Sequence, residues 1–277
     1  LRDLAENPSC WDSHFIQTAD IDAAQPATWD DSDDNGDGVL YNDPEDATDT
    51  GNNEGFRPIG IGGNAFTGTY DGQGHIVDNL TIDRGSSDRI ALFGAVSGGS
   101  AAILNIGVTD VNITGSRYVG ALVGNESHAT IANAFSTGTV TGSYQVGGLV
   151  GYTYSGTIQN SYSHCSVHAT SDYAGGLVGR YHGDLINSYS TGAVTSDGTP
   201  GGLVANLDTS TPVENCFWDT ETSGLDTSDG GTGLPTAGMQ APLSFLIPGW
   251  DFVDESDQSE LLEALEDIYG AELNSYA

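Results

Sequence analysis

The chain has 277 residues, with 39 acidic side chains against six basic ones, a formal net charge of −33 and no lysine. So few cations exclude a nucleic-acid partner, whose phosphates need a basic surface. The absence of any run of about 18 apolar residues excludes insertion into a membrane by helices. Self-repulsion on this scale destabilises a compact fold at low ionic strength. Molar salt, which shortens the Debye length to about 3 Å, removes most of that penalty. The composition therefore reads as adaptation to brine. A hydrophobic content of 37%, twelve tyrosines and regular Leu/Val/Ile spacing argue against the disorder that high net charge otherwise signals.

In chain order, residues 1–65 read as an N-terminal cap. The chain begins at Leu1 rather than Met, which reads as the processed form of an exported protein. A short helical start (Leu1, Leu4, Ala5) leads to a strand at 14–20. An acidic, Gly/Asn-rich insert spans 23–54, and residues 20–54 hold twelve carboxylates where the longer stretch 117–198 holds four. Within the insert, Asp33, Asn35 and Asp37 with Gly38 and Leu40 match the first half of a Ca²⁺ loop. Pro44 stands where a bidentate acid belongs, flanked by Asp43 and Glu45, and a second register starts at Asp31. A structural Ca²⁺ ion held by these side chains is the expectation, with a solvated acidic loop as the alternative.

From residue 66 to 224 a repeat dominates. Gly120-Ala-Leu-Val-Gly124, Gly147-Gly-Leu-Val-Gly151, Gly175-Gly-Leu-Val-Gly179 and Gly201-Gly-Leu-Val-Ala205 recur every 26 to 28 residues, after a degenerate Ile90-Ala-Leu-Phe-Gly94. An asparagine series, Asn79, Asn105, Asn133, Asn160, Asn187 and Asn215, keeps the same period. Phe135, Tyr162, Tyr189 and Phe217 follow its last four members at a constant offset. Short β-like runs bounded by turns, about three per period, suit one turn of a parallel β-helix. Stacked coils bring equivalent residues about 4.8 Å apart. The asparagines then form a hydrogen-bonded ladder and the aromatics a second stack. A propeller is excluded because its blades need about 40 residues each.

Gly-Gly-Leu-Val-Gly followed by an Ile/Leu-x-Asn-Ser-Tyr strand resembles the GLUG-motif repeat of bacterial and archaeal surface proteins and adhesins. The run Phe66-Thr-Gly-Thr-Tyr-Asp-Gly-Gln-Gly-His75 and the stretch Asn215-Cys-Phe-Trp-Asp-Thr-Glu-Thr-Ser-Gly224 are similar to parts of such proteins. The resemblance covers about residues 10–252 with one interruption, and it implies an all-β parallel β-helix but no particular chemistry. The crossover rule makes the helix right-handed, and the repeat count makes it about six coils. Residues 225–277 read as a C-terminal cap with an amphipathic helix at about 257–269, opened by the capping box Asp257-x-x-Glu260.

Catalysis finds little support in the repeats. Glycosidases need two carboxylates at about 5–9.5 Å, and Glu126, Asp172 and Asp184 fall at different positions of their coils. His128 and His182 align two coils apart, too distant to share an ion. Cys10, Cys165 and Cys216 have no metal-type spacing. Repeated corner tyrosines offer a binding surface instead. Tyr118 and Tyr173 align before the glycine corners with Tyr144 one residue further out, and Tyr152, Tyr154 and Tyr181 cluster after them. Such rings stack on sugars or on a neighbouring subunit. Sequons begin at Asn79, Asn112 and Asn125. These readings converge on a non-enzymatic extracellular surface protein of an extreme halophile, a subunit of a cell-surface or virion-surface assembly or filament. Its partners are copies of itself, other surface proteins or glycans. The alternatives are a monomeric glycan-binding adhesin and a β-helix polysaccharide lyase or glycosidase.

Overall fold

A computed structural model describes residues 1–24, 54–61, 63–207, 212–241 and 243–246. Each period of the repeat closes one turn of a parallel β-solenoid, with about five turns in all. Residues one period apart pair directly: Ile103 lies against Ile131, Ile131 against Ile158, and Ile158 against Leu185. The partial turn that Asn215 opens extends the stack, so the six coils expected correspond to five complete ones and a fragment. Rather than three paired stretches per turn, five recur. The first stack comprises Thr69–Asp71 and residues 102–104, 130–132, 157–159 and 184–186. In the second, Ile76–Asp78 lies against 107–109, 106–108 lies against 134–136, and the stack continues to Tyr162–Ser163 and Tyr189–Ser190. The third aligns Thr81–Asp83, 112–114, 139–141 and 166–168, with Val194–Ser196 set against 167–169. The fourth aligns Arg117–Val119, 144–147, 172–175 and Pro200–Gly201. The fifth aligns Phe93–Ser97, Val123–Ser127, 150–154, 178–182 and Val204–Leu207.

The two additional stacks exist because single left-handed residues turn the chain without breaking the ladder, so that Thr130–Gly147 is one bent strand of 18 residues. Each turn sends one Leu-Val pair inward, and Leu122, Val123, Leu149, Val150, Leu177, Val178, Leu203 and Val204 are all fully buried. Burying each contributes about 1.5–3 kcal/mol. The glycine opening each pair is required by backbone contact. A Cβ at Gly147 would lie 2.0 Å from the Val150 carbonyl oxygen, and one at Gly175 would lie 1.9 Å from that of Val178.

Both ends of the stack carry added structure. At the start, the helix Arg2–Glu6 buries Leu4 and Ala5, and Trp11 Nε1 donates to the Leu4 carbonyl at 2.7 Å. His14–Ile16 then pairs with Thr69–Asp71. At Glu54 an ion pair of 2.7 Å to the buried Arg84 ties the chain to the stack. At the far end, Asp219 caps the short helix Thr220–Ser223 by accepting from Glu221 and Thr222, and Thr232–Leu234 pairs over Phe217–Asp219. The chain divides into two compact units, Leu1–Met239 and Gln240–Ala277, the second containing the short helix Leu243–Leu246. The helix expected at 257–269 lies outside the described residues, as do the calcium-loop positions Asp31, Asp33, Asn35, Asp37, Asp43 and Glu45.

Candidate functional site

Strand alternation sorts the fifth stack into one inward column flanked by two outward ones. Val96, Glu126, Thr153 and Tyr181 are buried and point inward. Ala95, Asn125, Tyr152 and Arg180 form one outward column, and Ser97, Ser127, Tyr154 and His182 form the next. No carboxylate stands among these eight outward residues, in a chain with 39 acids. Their rings form a connected surface cluster. Tyr118 and Tyr152 have centroids 5.4 Å apart, and His182 lies 6.1 Å from both Tyr152 and Tyr154. His128 meets Tyr154 edge-on at 5.6 Å, while the Arg180 guanidinium sits 5.9 Å from the Tyr152 ring centre. Tyr118, Tyr173 and His128 hold left-handed backbone at φ 58°, 57° and 64°. For bulky residues that conformation costs about 1–2 kcal/mol each.

Beside this cluster the corner changes length. Two residues, Ser155 and Gly156, stand in the third coil where the fourth has Gly183 alone, a β-bulge between Tyr154 and Gly156. The mismatch opens a recess of 380 Å³ lined by Tyr154, Ser155, Gly156, Thr157, His182, Gly183 and Asp184. Tyr154 is 49% exposed, one of two large hydrophobic side chains so exposed among the described residues.

The expected tyrosines separate accordingly. Tyr118, Tyr144, Tyr152, Tyr154 and Tyr173 reach the surface, with Tyr144 and Tyr173 edge-on at 5.6 Å. Tyr181 does not. It aligns with Thr153 rather than Tyr152 or Tyr154, so the pleat turns it into the core, where it is fully buried with its hydroxyl 3.4 Å from the Gly156 carbonyl. Burial raises its pKa.

The asparagine ladder joins coil to coil. Asn133 donates to Asn105 at 2.8 Å, Asn160 to Asn133 at 3.3 Å, Asn187 to Asn160 at 3.3 Å and Asn215 to Asn187 at 3.2 Å. All five adopt left-handed backbone, φ 47–54°, which Asn tolerates better than other side-chain-bearing residues. Asn79 is not a rung. It follows Asp78, which pairs with Thr109, so it aligns with Asp110 at the next corner and bonds to Asp22 and Asp78. Asp71 takes the rung instead, accepting from Asn105 at 2.9 Å, and that hydrogen bond holds its carboxyl below the usual range. The sequon Asn112 is exposed on the third stack, while Asn125 is half-buried in the column of Tyr152. His182 aligns with Ser127, not with His128 as expected, because the two-residue corner displaces His128 by one position.

The model of the GLUG motif matches residues 142–167 and 170–195. The chain carries GLUG-motif repeats. Halomucin of Haloquadratum walsbyi is 40% identical over 89 residues, 31% of this chain, and the match spans 1% of halomucin's own length. The crystal structure of a candidate immunoglobulin A1 protease from Bacteroides ovatus superposes with a TM-score of 0.55 at 21% identity. That superposition covers 74% of this chain and 59% of the other. At such identity the likeness is one of fold.

Within the GLUG coil, sequence reading missed a buried serine set that only the folded turn reveals. Ser136 Oγ donates across the coil to the Gly148 carbonyl at 2.9 Å, and Ser190 Oγ to that of Gly202 at 2.7 Å. The serine after Phe135, Tyr162 and Tyr189 keeps the period and was legible as a pattern, with Trp218 in its place after Phe217, but its partner was not. The outer faces of those aromatics form a second stack, with Phe135 and Tyr162 centroids 5.1 Å apart and Tyr162 and Tyr189 4.9 Å apart, nearly parallel. Burial pushes the Tyr189 hydroxyl up to about 12.

Glu126 is the second omission. It is fully buried, and burial pushes its carboxyl up to about 8 against the hydrogen bond its Oε1 accepts from the Ala129 amide. Its Oε2 and the Thr153 hydroxyl, paired in register one coil apart, lack hydrogen-bond partners among the described residues. The carboxyl fills the space where Gly156 has no side chain, since a Cβ there would lie 2.1 Å from its oxygens. Among the described residues no three His, Cys, Asp or Glu side chains converge on a metal-holding cluster.

Proposed function

We propose that this chain is a non-enzymatic structural module displayed outside the cell of an extreme halophile, where it builds or joins a surface assembly. The ladder carries the reading. Five asparagines in consecutive coils make the same bond in the same backbone state, a pattern that serves a repeating scaffold and that a single reacting centre does not need. Supporting it are the GLUG repeats, the similarity to halomucin and the charge of −33, which suits a surface bathed in molar salt. Its partners are copies of itself or other surface proteins. Light scattering and electron microscopy in molar salt test the assembly: filaments or a defined oligomer support it, and a strict monomer at high concentration overturns it. Surface labelling of intact cells tests display.

Two accessory features belong to the same reading. Ca²⁺ binds the acidic insert through Asp31, Asp33, Asn35, Asp37, Asp43 and Glu45, so that chelation lowers the melting temperature and added Ca²⁺ restores it. Asn112 and Asn125 carry glycans, which mass spectrometry of the native protein detects.

A further inference from the structure

The recess at the bulge between the third and fourth coils has the chemistry of a sugar site. It is lined by the half-exposed Tyr154 together with Thr157, His182 and Asp184, which bring a ring, a hydroxyl, an imidazole and a carboxylate. Gly156 and Gly183 complete the lining. A pyranose presents an apolar face of C–H bonds, which an aromatic ring covers, and a perimeter of hydroxyls, which carboxylate, hydroxyl and imidazole groups bond. A volume of 380 Å³ falls within the range of small-ligand sites, about 300–1,000 Å³.

Two further observations point the same way. Bulges re-aim side chains next to binding sites, and here the extra residue Ser155 lies between Tyr154 and Thr157, all three lining the recess. The neighbouring His128 places its ring edge-on against Tyr154 and braces it. The solvent also selects the ligand class. At molar salt a Debye length of about 3 Å screens recognition by charge, whereas ring stacking and short hydrogen bonds persist.

We propose that this recess binds a pyranose unit of an extracellular glycan, with Tyr154 as the stacking platform and Asp184 and Thr157 as hydroxyl acceptors. The proposal deepens the surface reading by naming a ligand, and it rests on that reading for where the glycan is met and for the molar salt that screens charge. Purified protein is screened in molar salt against an array of neutral and uronic hexopyranose oligosaccharides, and hits are measured by calorimetry. Tyr154→Ala is expected to weaken binding about tenfold or more, equivalent to about 1.4 kcal/mol. Asp184→Ala is expected to weaken it several-fold, and His168→Ala, on the third stack, to leave it unchanged. Circular dichroism confirms that each variant folds. If no oligosaccharide binds, or if Tyr154→Ala binds as well as the parent, the recess is not a sugar site. Because this assay uses purified protein, its failure leaves surface display standing, and failure of cell labelling leaves a positive binding result standing. An isolated-glycan hit absent from the protein's own released glycans assigns the ligand to a foreign polysaccharide, and a hit shared with them assigns it to a neighbouring glycoprotein.

Discussion

Two polar columns run along this solenoid, and they differ in kind. On the Asn105–Asn215 column every rung is the same residue, every rung is left-handed, and each amide donates to the coil before it. On the Glu126–Thr153–Tyr181 column every rung differs, all are buried, and two oxygens lack partners among the described residues. The first column satisfies itself by repetition, because a side chain that is both donor and acceptor can bond to its own copy. A carboxyl cannot bond to its own copy without a shared proton. The second column therefore stands in a strained balance that pH can shift, beside the surface recess.

The largest expected effect breaks the second column. Glu126 has a folded-state pKa of about 8 against an ordinary value of 4.5, so the folded protein holds a proton that the unfolded chain releases between those values. Stability contributed by this group is complete below pH 4.5, falls as pH rises towards 8, and is flat above. The loss is on the order of 5 kcal/mol. Other carboxylates titrate too, so the informative quantity is the difference between parent and Glu126→Gln in denaturant melts. That difference should grow with pH across this window and then level off. A constant difference would mean that Glu126 is ionised throughout.

Next in size is a break in the regular column. Asn160→Ala removes two side-chain hydrogen bonds of about 1 kcal/mol each and puts Ala in a left-handed bend at a further 1–2 kcal/mol or so, for a total near ~3 kcal/mol. Asn160→Gly sharpens the comparison, because it keeps the bend and loses only the bonds, so about 2 kcal/mol is expected. Equal losses in the two variants would show that the ladder bonds alone matter. A smaller effect belongs to the aromatic stack: Tyr162→Leu keeps an apolar side chain but loses ring stacking on both sides, at about 1–2 kcal/mol. The smallest is at the ladder's end. Asp71 is held ionised chiefly by Asn105, so its contribution is present at neutral pH and lost as pH falls through the carboxylate range. Asp71→Ala should cost under about 1 kcal/mol at pH 7 because the site is exposed, and the cost should vanish in acid.

Much of this was readable because repetition amplifies weak signals. One Gly-Leu-Val-Gly run is only a short strand between turns, but four at a period of 26 to 28 residues define a coil, its inward residues and its stack of neighbours. The amino-acid sequence alone thus determined the solenoid, the Leu-Val core and the rungs Asn105 to Asn215. It also determined the excess of acid that ties the chain to salt.

What only the tertiary structure decided depends on parity and on single-residue offsets. Strand side chains alternate, so a shift of one residue exchanges core for solvent. Tyr181 looks like Tyr152 and Tyr154 in sequence, yet it packs inside while they face out. Glu126 looks like any acid of an acidic chain, yet its place opposite Thr153 buries it. Asn79 keeps the period but sits at the next corner, because the opening coil places six residues between Asp71 and Asp78 where the next coil places four between their partners Leu104 and Thr109. The bulge at Ser155 is a difference of one residue between neighbouring coils. Counting along the chain reveals the period, but only the paired backbone reveals which coil holds the extra residue, and hence where the recess opens.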